Sequence, residues 1–123
     1  MKHLQLIGRI IYALPFIMFG FGHLTNASMM AGMVPSYFPF AIFWVYISGL
    51  GFLAAAIALL INKYASLATL LVGVVLLIFA VLVHAVGMGD QQMGQMHIAM
   101  FMKDFALAGA AFFISATLKA QGK

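Results

Sequence analysis

Four apolar stretches dominate the chain, each about 20 residues long, which is the length an α-helix needs to cross a ~30 Å hydrocarbon layer. Short polar or glycine- and proline-containing segments separate them, and we predict helices over residues 4–24, 38–61, 66–86 and 97–118. A chain surrounded by lipid must satisfy its backbone hydrogen bonds within each segment, which favours helices. The sequence therefore predicts an all-α polytopic membrane protein, an antiparallel bundle of four transmembrane helices.

The composition supports a lipid environment. Only 7% of the 123 residues are charged and 66% are hydrophobic, whereas about a quarter of the residues in a soluble domain are charged. We therefore expect a single transmembrane domain over residues 1–123, with the lipid bilayer as its main partner. The chain has no cysteine, which excludes disulfides and thiolate metal sites within it.

The lysines predict an orientation. Lys2, Lys63, Lys119 and Lys123 fall at the N-terminus, in the second loop and at the C-terminus, whereas the first and third loops contain no lysine or arginine. The positive-inside rule then places both termini in the cytoplasm. Because the basic residues flank apolar segments, we interpret the net charge of +4 as an orientation signal and expect no nucleic-acid partner.

Each predicted helix has one stripe of small and polar residues, which should face the bundle axis because polar groups avoid lipid and small residues let helices approach. At about 100° per residue, the stripe of the first helix is Arg9, Tyr12, Phe16, Gly20 and His23. That of the second is Trp44, Ser48, Gly51, Ala55 and Asn62. The third has Gly73, Leu77, Ala80, His84 and Gly87, and the fourth has His97, Met100, Asp104, Ala108, Ala111 and Ser115.

Four ionisable residues on these stripes converge in the outer part of the membrane. His23, His84 and His97 lie near the outer ends of their helices, and Asp104 lies about 10 Å deeper than His97 at 1.5 Å per residue. An isolated charge at membrane depth costs at least ~2.5–3.5 kcal/mol, so Asp104 should be paired or protonated. His23 and His84 are its candidate partners. These residues are candidates for ligand binding or a proton relay, or they only fix the packing of the four helices.

Two basic residues complete the candidate site. Lys103 is adjacent to Asp104 but about 100° away around the helix, so we expect it to pair only partly with the carboxylate. Arg9 lies on the inner side, where its side chain can extend to the cytoplasmic surface.

Methionines suggest a different chemistry in the same region. Met93, Met96, His97 and Met100 place thioethers and one imidazole at helical spacing, and these soft ligands suit Cu(I). Copper binding at these four residues is therefore an alternative interpretation. Methionine also fills irregular apolar surfaces without binding any metal.

Three of the apolar segments contain recognisable runs of residues. The first helix carries Arg9 and then the run Phe16 to His23, the second reads Tyr46 to Leu53, and the fourth reads Lys103 to Gly109. The order and spacing of these runs resemble the DoxX family of small four-helix bacterial membrane proteins. Where the family often has an acidic residue near the glycines of the second helix, this chain has Phe52, which removes a partner for Arg9. The resemblance implies a bacterial plasma-membrane protein associated with oxidoreductase systems that oxidise thiosulfate or quinones or resist oxidative stress.

We therefore expect an accessory or ligand-binding subunit of a membrane redox system, with a quinone headgroup as the candidate ligand and a membrane or periplasmic redox protein as the candidate partner. The alternatives are outer-side copper handling and a purely structural assembly subunit, and homo-oligomerisation stays open. An autonomous enzyme is less expected, because the sequence has no nucleophile–base constellation and no phosphate-binding loop.

Overall fold

The computed structural model describes residues 1–123 and contains helices without strands, which confirms the all-α prediction. The helices are α1 (Lys2–Thr25), the short α2 (Ala27–Ala31), α3 (Ala41–Ile61), α4 (Ala65–Phe79) and α5 (Gly94–Ala120). A π-helical segment, Ala80–Ala85, continues α4 without a break. We call it the π segment. The largest departures from the expected boundaries are at the starts of α3 and α5. α3 begins at Ala41 instead of residue 38, and α5 begins at Gly94 instead of residue 97.

The long helices form two packed pairs. α1 packs on α3, α4 and the π segment pack on α5, and α3 packs on α4 and so joins the pairs. Four antiparallel helices bring both termini and the α3–α4 turn to one end, which we call the terminal end. Residues 26–40 and 86–93 form the opposite end, which we call the loop end.

Glycines allow the close helix contacts. A Cβ on Gly20 would lie 2.9 Å from the carbonyl oxygen of Gly49, and one on Gly49 would lie 2.8 Å from the Cβ of His23. Likewise, a Cβ on Gly73 of α4 would lie 2.6 Å from the Phe112 ring of α5. These distances are too short for a larger residue, so the glycines set the spacing within each pair.

By contrast, no Cα atoms of α1 and α5 lie within 8 Å of each other. Side chains bridge this gap: the Tyr12 hydroxyl donates a hydrogen bond of 2.7 Å to the Leu107 carbonyl. Phe16 and Phe52 are buried nearby with their ring centroids 5.8 Å apart. The centre of the bundle is therefore filled by aromatic side chains rather than by close backbone contact.

The inward face of α3 differs from the prediction. Its buried residues are Val45, Gly49, Phe52, Ala55, Ala56 and Leu59, whereas Trp44 and Gly51 of the predicted stripe are exposed. Ala55 of the predicted stripe is buried, but in the first half of the helix the buried face lies about one residue, or 100° of rotation, from the predicted one. The physical reason is volume, because the ring of Phe52 fills the space between Phe16 of α1 and Phe79 of α4, where a small-residue face would leave a void.

The outer surface of the bundle is apolar. Large hydrophobic side chains such as Leu14, Ile57, Leu71 and Phe113 are exposed along the helices. Four helices are long and apolar enough to cross a membrane: Lys2–Thr25, Ala41–Ile61, Ala65–Ala85 and Gly94–Ala120. A water-soluble monomer rarely exposes such surface. The chain is a multi-pass membrane protein whose exposed apolar side chains face lipid.

Candidate functional site

The π segment positions the first histidine of the site. A π-helix forms i→i+5 hydrogen bonds in place of the i→i+4 bonds of an α-helix, so its turns are wider. Short π-helical segments within α-helices frequently occur at functional sites. Here it spans Ala80–Ala85 and includes His84 near the loop end. Beyond Ala80, the π geometry changes the direction in which side chains project from this helix. His84 projects towards α5, where it meets His97 and Asp104.

Four side chains form a continuous polar chain, which we call the His–Asp chain: His97, His84, Asp104 and Lys103. The Nδ1 atoms of His97 and His84 are 3.1 Å apart. The other nitrogen of His84, Nε2, lies 3.4 Å from Asp104 Oδ2. Asp104 Oδ1 lies 3.2 Å from Lys103 Nζ. The His–Asp chain thus links His97, on the first turn of α5, to a carboxylate about 10 Å further along that helix, at 1.5 Å per residue.

Asp104 is the most deeply buried charged residue of the chain. It is 2% exposed, and each carboxylate oxygen has a nitrogen partner, one on α5 and one in the π segment. A buried carboxylate requires such partners because removing it from water is costly. The sequence-based expectation of a paired Asp104 agrees with this geometry, and His84 rather than His23 is the histidine beside it.

Lys103 reaches Asp104 despite its different direction on the helix. Its long side chain bends back to Oδ1, and its ammonium also lies 4.2 Å from the centroid of the Phe19 ring of α1. The side chain is 38% exposed, so the ion pair is partly open to the surroundings. Lys103 thus pairs more closely with Asp104 than we expected and at the same time bridges α5 and α1.

The contacts of His84 determine where the protons of the neutral histidines lie. A carboxylate stabilises an N–H that points at it, so Asp104 favours the tautomer of His84 with its proton on Nε2. Nδ1 of His84 is then an acceptor, and His97 must donate from its own Nδ1. This leaves Nε2 of His97 without a proton and without a hydrogen-bond partner in the protein. At the loop end, the His–Asp chain therefore presents a hydrogen-bond acceptor, Nε2 of His97.

A glycine makes room for this arrangement. A Cβ on Gly87 would lie 2.4 Å from Cδ2 of His97 and 2.5 Å from its Cγ and Nε2. Any larger residue at position 87 would displace the His97 ring. The absence of a side chain at Gly87 therefore allows the ring to lie flat against the end of the third transmembrane helix.

A cavity of about 330 Å³ opens beside His97 at the loop end. Its walls come from residues 32–37 and from the end of the π segment, and they include Met33, Tyr37 and Val86. His97 is the member of the His–Asp chain that lines it. The cavity is mainly apolar and has one imidazole, a combination that suits an aromatic headgroup carrying a hydroxyl or carbonyl.

The structure does not bring His23 or Arg9 into the His–Asp chain. His23 Nδ1 lies 2.7 Å from the carbonyl oxygen of Phe19, and its ring packs against Phe52 and Phe79. Arg9 lies towards the terminal end, and its buried Nε has no hydrogen-bond partner. Of the six residues proposed for the ligand or proton site, four are in contact and these two are separate.

The methionines of the copper hypothesis lie at the start of α5. Met93 precedes the helix and is exposed, and Met96 and Met100 lie on its first turns. Their histidine, His97, already uses Nδ1 towards His84, which leaves only Nε2 for a metal. Copper binding at this position stays a prediction.

Sequence reasoning missed two polar contacts. One is the Tyr12–Leu107 hydrogen bond described above, and the other joins Ser66 of α4 to Ser115 of α5. The Ser115 hydroxyl donates to the Ser66 carbonyl at 2.8 Å, and the Ser66 hydroxyl donates to the Ser115 carbonyl at 2.9 Å. Ser115 belonged to a predicted inward stripe, but nothing in the sequence identified Ser66 as its partner. The serine contacts stabilise the terminal half of the α4–α5 pair, and the Tyr12 hydrogen bond joins α1 to α5.

Together, the fold and the site define a class: a four-helix multi-pass membrane protein with a buried carboxylate that histidines connect to a cavity at one end. The chain belongs to the family described as a domain of unknown function (DUF8561), whose model matches residues 12–116. This match includes all four members of the His–Asp chain. No curated protein and no solved structure matches the chain.

Proposed function

We propose that this protein is a ligand-binding accessory subunit of a membrane redox system, and that the loop-end cavity binds a hydroquinone-type headgroup. One observation carries the proposal: the His–Asp chain runs without interruption from the cavity wall at His97 to the buried carboxylate of Asp104. A purely structural polar group needs only one or two partners. A series of hydrogen-bonded side chains that begins at a cavity and ends at an ionisable group can also transfer a proton from a ligand to that group.

The order of proton transfers follows from the tautomers. A ligand hydroxyl donates a hydrogen bond to the free Nε2 of His97. When that proton moves to Nε2, His97 passes its Nδ1 proton to Nδ1 of His84 across 3.1 Å. His84 then releases its Nε2 proton to Asp104 across 3.4 Å. The ligand hydroxyl becomes a phenolate and the carboxylate becomes an acid, with both imidazoles neutral again.

Lys103 adjusts the acceptor end of this chain. Its ammonium stabilises the ionised form of Asp104 from 3.2 Å, and its partial exposure limits that effect. The residues of the His–Asp chain accept and transfer the proton. The electrons of the hydroquinone pass to a partner protein in the redox system. The resemblance of α1 and α5 to the DoxX family supports this setting.

The orientation belongs to the same proposal. With both termini in the cytoplasm, as Lys2, Lys63 and Lys119 suggest, the cavity faces the periplasm of a bacterial plasma membrane. The chain has no cysteine, so single-cysteine variants at exposed Ser36 and Lys63 can be labelled selectively. An impermeant maleimide added to intact spheroplasts should label position 36 and not position 63, and the reverse labelling would overturn the orientation.

Binding of a short-chain hydroquinone to the purified protein tests the site. His97→Phe should lower the affinity by about two- to tenfold, because a hydrogen bond contributes ~0.5–1.5 kcal/mol. His23→Phe is the matched control, because His23 lies outside the His–Asp chain and should leave the affinity unchanged. The corresponding quinone, which has no hydroxyl proton to donate, should bind more weakly than the hydroquinone to the native protein.

The same measurements distinguish a structural role. If the His–Asp chain only fixes helix packing, His97→Phe should lower the melting temperature. The folded fraction of His97→Phe should then bind hydroquinone with the same affinity as His23→Phe. Equal affinities in these two variants would overturn the proposal.

A further inference from the structure

A second concave site lies at the terminal end, about as far from the His–Asp chain as the bundle permits. It is a groove of about 510 Å³ between the α3–α4 turn and the last turn of α5. Three lysines line it, namely Lys63 from the turn and Lys119 and Lys123 from the end of the chain. We call it the lysine groove.

The charge of the groove is not neutralised within the protein. The chain has two acidic residues, Asp90 and Asp104, and both lie in the loop-end half. Its two ion pairs are formed by Asp104 with His84 and Lys103. None of the three lysines of the groove forms an ion pair, and their positive charges converge on one concave surface.

Backbone groups add donors to the same groove. Asn62 and Tyr64 adopt left-handed conformations with φ of 57° and 55°, which reverses the chain so tightly that α4 begins at Ala65. No side chain caps this helix start. The first amides of α4, among them that of the groove residue Ser66, therefore lack an acceptor within the protein. An anion beside them also interacts favourably with the positive end of the helix dipole.

The walls of the groove are continuous with the lipid-facing surface. Leu67 and Leu70 line it, and both are exposed on the outside of α4. A ligand that fits all these features has a negatively charged phosphate beside the lysines and hydrocarbon beside the leucines. We propose that the lysine groove binds the phosphodiester headgroup of an anionic phospholipid, with an acyl chain along Leu67 and Leu70.

Native mass spectrometry of the full chain in detergent tests this site with phosphatidylglycerol and phosphatidylcholine as probes. The native protein should retain phosphatidylglycerol in preference to phosphatidylcholine. Lys119→Gln should lower that preference by about fivefold, as expected for one lysine near a headgroup, and Lys63→Gln/Lys119→Gln should lower it further. Both lysines are exposed, so folding should be unaffected.

Lys2→Gln is the matched control. Lys2 is also an exposed lysine at the terminal end and its substitution removes the same charge, but it does not line the groove. It should leave the preference unchanged. An equal loss in Lys2→Gln and Lys119→Gln would overturn the proposal, because it would show a diffuse surface charge rather than a site. Absence of any preference in the native protein would do so as well.

A competition with inorganic phosphate separates lipid from free phosphate. Because the leucine walls contribute to lipid binding, phosphate should not displace phosphatidylglycerol at concentrations that leave the protein folded. Displacement by phosphate, with loss of phosphate binding in Lys119→Gln, would assign the groove to a soluble phosphate and overturn the lipid proposal.

Discussion

Gly87→Ala gives the sharpest test of the His–Asp chain, because the three atoms nearest to the added methyl all belong to the ring of His97. The new Cβ would lie 2.4 Å from Cδ2 of the ring, and ordinary contact begins near 3.4 Å, so the ring must move by 3.4 − 2.4, or about 1 Å. The Nδ1 atoms of His97 and His84 are 3.1 Å apart. Even half of that displacement, directed away from His84, brings them to about 3.6 Å, beyond hydrogen-bonding distance.

The expected free-energy changes oppose each other. The lost hydrogen bond costs ~0.5–1.5 kcal/mol, whereas alanine in place of glycine in a helix gains ~0.5–1 kcal/mol. The melting temperature of Gly87→Ala should therefore change little. The affinity for hydroquinone should nevertheless fall by about two- to tenfold, because the acceptor of His97 is displaced and disconnected from His84.

Two assays on one pair of variants check this reasoning. The ring nitrogens of the histidines can be followed by ¹⁵N NMR of labelled protein, and hydroquinone affinity can be measured on the same samples. Gly89→Ala is the control, because a Cβ there meets nothing within 4 Å. If Gly87→Ala and Gly89→Ala give the same histidine spectrum and the same affinity, the proposed coupling of cavity and carboxylate is refuted.

Three further predictions concern Asp104, the Ser66–Ser115 pair and Asp90. Asp104→Asn keeps the size of the side chain but cannot accept the proton, so hydroquinone should still bind while its conversion to the phenolate in the complex is lost, as the ultraviolet absorption of the bound ligand would show. Ser66→Ala and Ser115→Ala should each destabilise the bundle by about 0.6 kcal/mol, the average for hydrogen bonds between membrane helices. Their effects should be non-additive in a double-mutant cycle, because the two hydroxyl oxygens are also 3.3 Å apart and contact each other. Outside the membrane, the backbone amides of Met93 and Gln92 lower the pKa of Asp90, so its contribution to stability should be present above the ordinary aspartate pKa and lost as the pH falls through the lowered value. The difference in melting temperature between the native protein and Asp90→Ala should therefore disappear in acid.

Each of these predictions has a clear contrary result. Equal phenolate absorption of the bound ligand in Asp104→Asn and the native protein would remove the carboxylate from the relay. Additive effects of the two serine substitutions would mean that they do not act as a pair. A stability difference for Asp90→Ala that persists at acid pH would show that the carboxylate does not act through its ionised form.

Some features of the site followed from local sequence. Asp104 could be placed inside the bundle because lipid excludes a charge and because Ala108, Ala111 and Ser115 mark the same face of the helix. The same reasoning gave the inward faces of α1 and α5. It failed for α3, where the buried residue is Phe52 and not Gly51. Hydropathy alone cannot orient that helix, since nearly every residue around it is apolar.

By itself, the sequence determined the number of helices and the pairing requirement of Asp104, because both depend on how far each segment extends in lipid and on the cost of a lone charge there. Only the tertiary structure decided that His84, and not His23, pairs with Asp104. That choice depends on the π segment and on the space beside Gly87, which bring His84 and His97 together. The Gly20–Gly49 contact meanwhile keeps His23 against α3, among aromatic rings. Distances between helices arise from packing along their whole length, so no single segment contains them.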